Sequence, residues 1–203
     1  MDVPERRPSI AVFGPSPLLT VTVEARPGGG DYIHLHPGGQ GVWVTRTAGE
    51  LGADPVLCAF LGGEVGAVLE PLLEALPGEL RLVRTATTSG CAVVDRRQGE
   101  RRFLAGRWSE PVSRHELDDL VSVACAAALR SDVLAVCGSY PAEVVPNPVY
   151  SELVATARAN GVPAFVDLSS PSLDSALEAG PDLVKINDGQ LAEWLGTPVD
   201  GAR

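Results

Sequence analysis

Residues 36–63 read HPGGQGVWVTRTAGELGADPVLCAFLGG, and this stretch decides the fold. The glycine-rich loop GGQG at 38–41 comes directly before residues 42–51, whose apolar side chains recur at helical spacing until Gly52 ends the pattern. Residues 55–61 are short and continuously apolar, as a strand buried on both faces is. The stretch therefore predicts a loop, a helix and a buried strand, which together form the repeating unit of an α/β fold.

The same alternation of helical and strand-like segments continues along the rest of the chain. Short apolar strands that alternate with helices favour a mostly parallel sheet with helices on both faces. We therefore predict a Rossmann-like α/β fold in a single domain over residues 1–203. The predicted strands of this sheet are residues 9–13, 55–61, 80–85, 133–137, 164–167 and 183–186, and the predicted helices are residues 42–51, 64–76, 113–129, 147–159, 172–178 and 188–195.

A second group of strands alternates polar and apolar residues. Residues 18–25 and 31–36 show this pattern, and the three glycines at 28–30 between them favour a hairpin. Half-exposed strands of this kind suit a lid over a site or a contact between subunits. We expect a small β lid over about residues 18–36, with residues 91–105 as a further candidate for the same lid.

Composition and charge exclude several classes of protein. A formal net charge of −10 argues against a general nucleic-acid-binding surface, which needs a basic face. No apolar stretch reaches the roughly 20 residues of a membrane-spanning helix, and the first residues lack the apolar segment of a signal peptide. The four cysteines lie singly in apolar segments, which favours reduced core thiols over zinc ligands. We predict a cytoplasmic protein without a metal site that binds neither membranes nor nucleic acids.

Polar and glycine residues follow several predicted strands, at the edge where open α/β sheets bind ligands. Each position by itself favours an ordinary βα turn, but five of them on one edge favour a cleft. The chain has no P-loop, no GxGxxG turn that opens a helix and no GxSxG elbow. The positions are Gly14, Gly62 with Gly63, Gly138 with Ser139, Asp167, and Lys185 with Asn187.

Taken in order, these motifs resemble the PfkB family of carbohydrate kinases in the ribokinase-like superfamily. The branch that they resemble most is that of 1-phosphofructokinase and tagatose-6-phosphate kinase. The resemblance runs from about residue 9 to residue 196. The motifs that carry it are PGGQG at 37–41, FLGG at 60–63, CGSYP at 137–141, VDLS at 166–169 and LVKIN at 183–187.

The resemblance implies transfer of the γ-phosphoryl group of ATP, with Mg²⁺, to a hydroxyl of a sugar or sugar phosphate. The lid would exclude water, which competes as an acceptor, and the glycines would let the backbone approach the sugar. By resemblance, the substrate side comprises Thr20, Gly38, Gly39, Gln40, Gly41 and Ser139, and the phosphate and MgATP side comprises Asp167, Lys185, Asn187 and Gln190.

Several positions on the substrate side depart from the family's pattern. Thr20 stands where the family has an aspartate that holds the sugar, Gln40 where it has a lysine, and Trp43 where it has an asparagine. The 1-phosphofructokinase branch also carries an arginine suited to phosphate and an asparagine, at places where this chain has Ser89 and Cys91.

Two departures concern phosphoryl transfer itself. Gln190 replaces a carboxylate, and an amide holds hydrated Mg²⁺ less well than a carboxylate does. The family's GAGD-type segment, whose aspartate deprotonates the sugar hydroxyl, has no counterpart here, so the sequence identifies no catalytic residue. We expect a C-terminally incomplete kinase, inactive as this chain alone, or one that another polypeptide completes. A pseudokinase that binds sugars or regulates is the alternative, and an α/β domain of unrelated function is a third.

Self-association is a further expectation. A parallel sheet that ends near residue 185 would leave an uncovered apolar edge. We therefore predict a homo-oligomer, joined through the lid strands or through this exposed sheet edge.

Overall fold

The computed structural model of the chain describes residues 6–138 and 141–199. Within these residues, strands and helices alternate for most of the chain, as predicted. The strands are β1 (Ser9–Phe13), β2 (Leu18–Ala25), β3 (Asp31–Gly38), β4 (Asp54–Gly62), β5 (Glu79–Thr85), β6 (Gly90–Asp95), β7 (Arg102–Arg107), β8 (Val133–Cys137), β9 (Ala164–Asp167) and β10 (Leu183–Lys185). The α-helices are α1 (Gln40–Glu50), α2 (Gly63–Glu74), α3 (Arg114–Ala128), α4 (Asn147–Ala159), α5 (Ser172–Glu178) and α6 (Asp188–Leu195).

The main sheet contains six of the described strands, in the order β10-β9-β8-β1-β4-β5, and all neighbouring pairs are parallel. β1 lies in the middle, where Ile10 pairs with Pro55 of β4 on one side and with Val133 of β8 on the other. Because the strands run in one direction, their carboxyl ends meet at a single edge. The predicted α/β fold class is confirmed.

Helices cover both faces of the main sheet. On one face, α3, α4 and α5 enclose a core that includes Phe13, Leu120 and Tyr150, and the rings of Phe13 and Tyr150 meet edge to face at 6.2 Å. On the other face, α1 and α2 contribute Val42 and Leu69 to a second buried cluster. These two cores hold the carboxyl edge of the sheet in place.

Four strands form a separate sheet, in the order β3-β2-β6-β7, which we call the small sheet. β2 and β3 form an antiparallel hairpin in which Leu18 pairs with Gly38, and β6 joins β2 in parallel. β7 then runs antiparallel to β6. The small sheet consists of the strands that the sequence predicted for the lid, including the further candidate at residues 91–105.

The helix after the glycine-rich loop begins two residues earlier than predicted, at Gln40 rather than residue 42. The reason is Gly39, which adopts a φ of 105° as the N-cap, so that its carbonyl accepts a hydrogen bond from the Trp43 amide at 3.2 Å. A φ in this region is readily available only to glycine.

The strand predicted at residues 101–105 instead spans Arg102–Arg107. A turn closed by the Gly99 amide on the Arg96 carbonyl keeps Arg101 out of the ladder, and pairing resumes where Arg102 lies opposite Asp95. The sequence also gave no sign of the 3₁₀ turn at Ala142–Val144, because three residues are too few to show a periodicity.

The cysteines agree only partly with the prediction of core thiols. Cys58 and Cys137 are buried, whereas Cys91 and Cys125 are partly exposed, and all four are free. Burial raises the pKa of the Cys58 and Cys137 thiols to about 12. Separately, none of the helices in the described residues has the length and apolar character needed to cross a membrane.

Candidate functional site

A cleft of about 540 Å³ opens between the small sheet and the start of α1. One wall is formed by side chains from β2, β3 and β6, and the floor is formed by the glycine-rich loop. The described residues that line the cleft are Leu18, Thr20, Thr22, His36, Gly38, Gly39, Gln40, Trp43, Arg46, Val94, Arg96 and Arg101. Four predicted substrate-side residues, at positions 20, 38, 39 and 40, are therefore brought together.

The glycine-rich loop packs so tightly that its backbone forms the floor directly. A Cβ added at Gly38 would lie 2.9 Å from Oγ1 of Thr20, and one at Gly41 would lie 2.5 Å from Cα of Gly14. Gly41 is buried behind the loop and does not line the cleft. It instead lets α1 start in contact with the end of β1.

Thr20, Thr22 and His36 form the polar part of the small-sheet wall. Thr20 pairs with His36 across the β2–β3 ladder, and Oγ1 of Thr22 lies 3.1 Å from Nε2 of His36. Partial burial lowers the pKa of His36, and the nearby Arg46 and Arg101 lower it further, against a hydrogen bond with the Pro37 backbone that raises it. The wall therefore presents hydroxyls and an imidazole that favours its neutral form.

Gln40 connects the cleft to the residues predicted for the phosphate side. Its Nε2 donates to Oδ1 of Asp167 at 2.9 Å. Nζ of Lys185 lies 3.0 Å from Oδ2 of the same carboxylate. Parallel pairing puts Lys185 directly beside Asp167, since the two residues end neighbouring strands. An amide, a carboxylate and an ammonium group thus form a continuous polar link at the carboxyl edge.

Asn187 and Gln190 are occupied with each other at the start of α6. Oδ1 of Asn187 accepts from the Gln190 amide at 2.8 Å, and Oε1 of Gln190 accepts from the Asn187 amide at 3.2 Å. This reciprocal pair is a capping box, which satisfies two amides that a helix start leaves open. The amide at position 190 therefore has a structural role where the family's pattern has a carboxylate.

The remaining predicted positions lie away from the cleft or cannot be placed in it. The Ser89 hydroxyl is buried and accepts a hydrogen bond from the Gly62 amide at 3.1 Å, so it supports the βα turn after β4. Cys91 is partly buried in β6 and does not line the cleft. Ser139 lies outside the described residues.

Three arginines that no sequence motif indicated also line the cleft: Arg46, Arg96 and Arg101. Arg46 sits over the ring of Trp43, with 4.9 Å between the guanidinium carbon and the ring centroid. The only local signal was the concentration of arginines at residues 96–102, which reads as a solvated turn.

The described residues contain no group of three or more His, Cys, Asp or Glu side chains arranged to hold a metal ion. Mg²⁺ in phosphoryl-transfer sites is usually held by one or two carboxylates together with the phosphates of the substrate. Asp167 is the carboxylate on this side, and it is paired with Lys185. The ammonium of Lys185 suits a phosphate, but the neutral Gln190 does not suit the ion, so we derive no step through Mg²⁺.

Known carbohydrate kinases match this chain in sequence and in fold. Residues 18–202 match the pfkB family carbohydrate kinase. The chain is 28% identical over 177 residues to 1-phosphofructokinase of Haemophilus influenzae and 31% identical over 178 residues to that of Rhodobacter capsulatus. These alignments cover 83% and 82% of this chain and 53% of each relative, so the chain spans about half the length of the curated relatives that it matches. The tetrameric inhibited form of phosphofructokinase-2 from Escherichia coli matches with a TM-score of 0.76 and 20% identity, over 94% of this chain and 65% of that one.

Proposed function

This chain belongs to the pfkB family of carbohydrate kinases, and on that premise we propose that it serves in the ATP-dependent phosphorylation of a sugar or sugar phosphate. The observation that carries the proposal is the cleft between the small sheet and α1, whose floor is bare glycine backbone. Backbone groups without side chains in front of them suit a ligand that presents several hydroxyls at close range.

In this proposal, the substrate lies on the glycine-rich loop under the small sheet. Thr20, Gly38, Gly39 and Gln40 contact its hydroxyls, Gly41 supports the loop from behind, and Ser139 is a further proposed contact. The small sheet acts as the lid, which matters because water competes with the sugar for the phosphoryl group.

The phosphate side of the proposed site is the edge formed by the ends of β9 and β10. Lys185 would hold phosphate oxygens of ATP, and Asp167 keeps its ammonium group aimed along the carboxyl edge. Asn187 and Gln190 hold the start of α6 next to it.

A binding protein without phosphoryl transfer is the second candidate. Its support is specific: Oε1 of Gln190 is taken up by the helix cap, and Asp167 is held by both Gln40 and Lys185. In this pseudokinase alternative, the protein binds a sugar in the cleft under the small sheet and acts as a sugar-binding or regulatory protein.

The test is an ADP-release assay on the purified protein with fructose 1-phosphate, fructose 6-phosphate, tagatose 6-phosphate and ribose, alongside calorimetric binding of each sugar. We expect this chain to bind the sugar, and we expect sugar-dependent ADP release only when a polypeptide that supplies the GAGD-type segment is added. Thr20→Val should weaken sugar binding by about tenfold, since it removes one hydrogen bond from the cleft. Thr47→Val, on the exposed side of α1, is the matched control. Binding without ADP release even when that segment is supplied would select the pseudokinase, and the absence of both binding and release would overturn both candidates.

Two further properties belong to the proposal. A cytoplasmic location is supported by the free cysteines, two of which burial keeps protonated and unreactive. Assembly into a homo-oligomer is supported by the exposed apolar side chains Ile33 and Leu35 on β3, which lie on the face of the small sheet that points away from the cleft. The exposed edge strand β10, with Leu183 and Val184, is the alternative contact.

A further inference from the structure

Lys185 is the only lysine in the sequence, in which every other basic side chain apart from histidine is an arginine. It ends β10 at the carboxyl edge of the main sheet. Its ammonium group lies 3.0 Å from Oδ2 and 3.2 Å from Oδ1 of Asp167, its one carboxylate partner among the described residues. Lysine carries a compact charge on a flexible stem, whereas the guanidinium of arginine is a rigid fork. The position of this cation therefore depends on how firmly Asp167 holds it.

Asp167 shares its charge between two donors. Its Oδ1 accepts a hydrogen bond from Nε2 of Gln40 at 2.9 Å and another from Nζ of Lys185 at 3.2 Å. Only 18% of the Asp167 side chain is exposed, so water has little access to replace either donor. Two donors on one oxygen compete, because each charge-assisted bond draws on the negative charge that strengthens the other. A stronger bond from Gln40 therefore weakens the hold on Lys185.

The orientation of the Gln40 amide follows from the chemistry of its partner. An ionised carboxylate only accepts hydrogen bonds, so the NH₂ group of Gln40 faces Asp167 and the carbonyl Oε1 faces away from it. No residue that the structure describes donates a hydrogen bond to Oε1. A Cβ added at Gly138 would lie 3.8 Å from this oxygen, so the glycine leaves that side of it uncovered. Gln40 also lines the cleft, and Oε1 is the acceptor that it can offer to a ligand there.

We propose that Gln40 is a positioning residue that couples the cleft to Lys185. A ligand hydroxyl that donates to Oε1 of Gln40 strengthens the bond from Nε2 to Asp167, because hydrogen bonds in a chain polarise one another. The stronger bond then loosens the hold of Asp167 on the ammonium group. The coupling rests on the proposed function for the identity of its ligand, a sugar. It releases the cation of the carboxyl edge when the cleft is occupied.

The single lysine allows a direct test by NMR, because protein labelled with ¹⁵N-lysine gives one ammonium resonance. Gln40→Met keeps the length of the side chain and removes the amide, so we expect slower hydrogen exchange of the Lys185 ammonium group in this variant. The ligand added is the one that binds most tightly among the four sugars of the ADP-release assay. It should shift the resonance and speed the exchange in the unchanged protein but not in Gln40→Met. Thr20→Val, in the same cleft, is the matched control and should leave the ligand-free resonance unchanged.

Coupling between two sites is reciprocal, so a change at Lys185 should alter binding in the cleft. Lys185 is not among the described residues that line the cleft. Lys185→Met nevertheless leaves Asp167 to Gln40 and should strengthen sugar binding by roughly fivefold in calorimetry without nucleotide. In a Gln40→Met background the same change should not alter the affinity, because the connecting amide is gone. Circular dichroism checks that each variant is folded.

Equal ammonium exchange in the unchanged protein and in Gln40→Met would overturn the coupling, whether or not a sugar binds. A sugar that shifts the Lys185 resonance equally in both proteins would also overturn it, since the ligand would then act without Gln40. Either result leaves the proposed function in place if a sugar binds. The absence of binding by all four sugars would overturn the proposed function instead, and the ligand-free comparison with Gln40→Met would then decide whether Gln40 controls the hold on Lys185.

Discussion

Gln40 joins the two sides of the candidate site through one side chain. It lines the cleft and donates to Asp167, which in turn is paired with Lys185. A lysine at position 40, as in the family's pattern, would bring a second cation to the carboxylate that already holds Lys185. The amide keeps the hydrogen bond without adding that charge, so position 185 supplies the cation of this group.

The contact between Gly14 and Gly41 sets where α1 begins. In Gly41→Ala, the new methyl would lie 2.5 Å from Cα of Gly14, a distance that requires the backbone to move. We expect the free energy of unfolding to fall by about 1–3 kcal/mol, as for other overpacked sites, measured by urea denaturation. Gly189→Ala in α6 is the control, since its added methyl makes only an ordinary contact at 3.4 Å and alanine favours the helix by up to about 1 kcal/mol. Equal stability of Gly41→Ala and the unchanged protein would contradict the close approach.

His36 reports the electrostatics of the cleft through its titration. We expect an NMR midpoint below 6.5, assigned with His36→Gln, because burial and then the charges of Arg46 and Arg101 disfavour the imidazolium. Since the folded pKa is the lower one, the stabilisation from neutral His36 is present above pH 6.5 and is lost as the pH falls from 6.5 through the folded pKa. Arg46→Gln should raise the pKa of His36, whereas Arg102→Gln should leave it unchanged. A midpoint at or above 6.5 would contradict the lowered pKa of His36, and an unchanged pKa in Arg46→Gln would show that this arginine does not act there.

At the level of elements, turns and helix starts hold several side chains of the candidate site in position. Asp95 holds the β6–β7 turn through Arg97 and Arg102, and these bonds keep the pKa of the Asp95 carboxyl well below its usual range. The β6–β7 turn places Arg96 and Arg101 where they line the cleft. A short hairpin held by ion pairs therefore positions these two arginines in the cleft.

Two substitutions at the capping box of α6 distinguish its role in stability from a role in nucleotide binding. Asn187→Ala removes the side chain that accepts from the Gln190 amide, and we expect a loss of about 1 kcal/mol in unfolding free energy.

Gln190→Glu keeps the cap and adds negative charge at the helix start, so the stability should be unchanged or slightly higher. A carboxylate is also the ligand type that Mg²⁺ prefers, so the same change should strengthen Mg²⁺-dependent nucleotide binding, measured by calorimetry. A Gln190→Glu protein less stable than the unchanged one would contradict the capping role.

The whole molecule has two sheets with different exposure. The main sheet is covered by helices on both faces, whereas the small sheet covers the cleft with one face and exposes Ile33 and Leu35 on the other. The two faces of the small sheet differ because successive side chains of a strand point to opposite faces. Thr20, Thr22 and His36 point to the cleft. Their neighbours Val21 and Leu35 point away from it.

Self-association through the small sheet should respond to a charge on its outer face. Ile33, with 64% of its surface exposed, is the clearest target. We expect the unchanged protein to be a dimer or larger in light scattering after gel filtration, and Ile33→Asp to be a monomer, because a carboxylate cannot be buried there without a partner. Leu51→Asp at the C-cap of α1, a residue with 82% exposure, is the matched control and should not change the assembly. A monomeric unchanged protein would contradict the proposed interface.

Local patterns in the sequence accounted for nearly all the elements. α4 and α5 begin and end at the predicted residues, and α3 begins within one residue of its predicted start, where Ser113 and Glu116 form a capping box. Such features can be read from the chain because periodicity and caps involve residues within a few positions of one another. The starts of α1 and β7 differ from the prediction because turns at Gly39 and Gly99, where φ is positive, set these boundaries.

The sequence by itself determined the α/β class and the division into buried and half-exposed strands. It also predicted that the glycine-rich loop lies on the substrate side of a site. Only the tertiary structure decided that Gln40 bonds to Asp167, 127 positions away, and that Arg46 shares a cleft with Arg96 and Arg101. The physical reason is the separation of these residues along the sequence. Periodicity within an element shows which of its sides is buried, whereas contacts between distant side chains depend on strand order and register. Those are set by the packing of the whole chain, and no local pattern contains them.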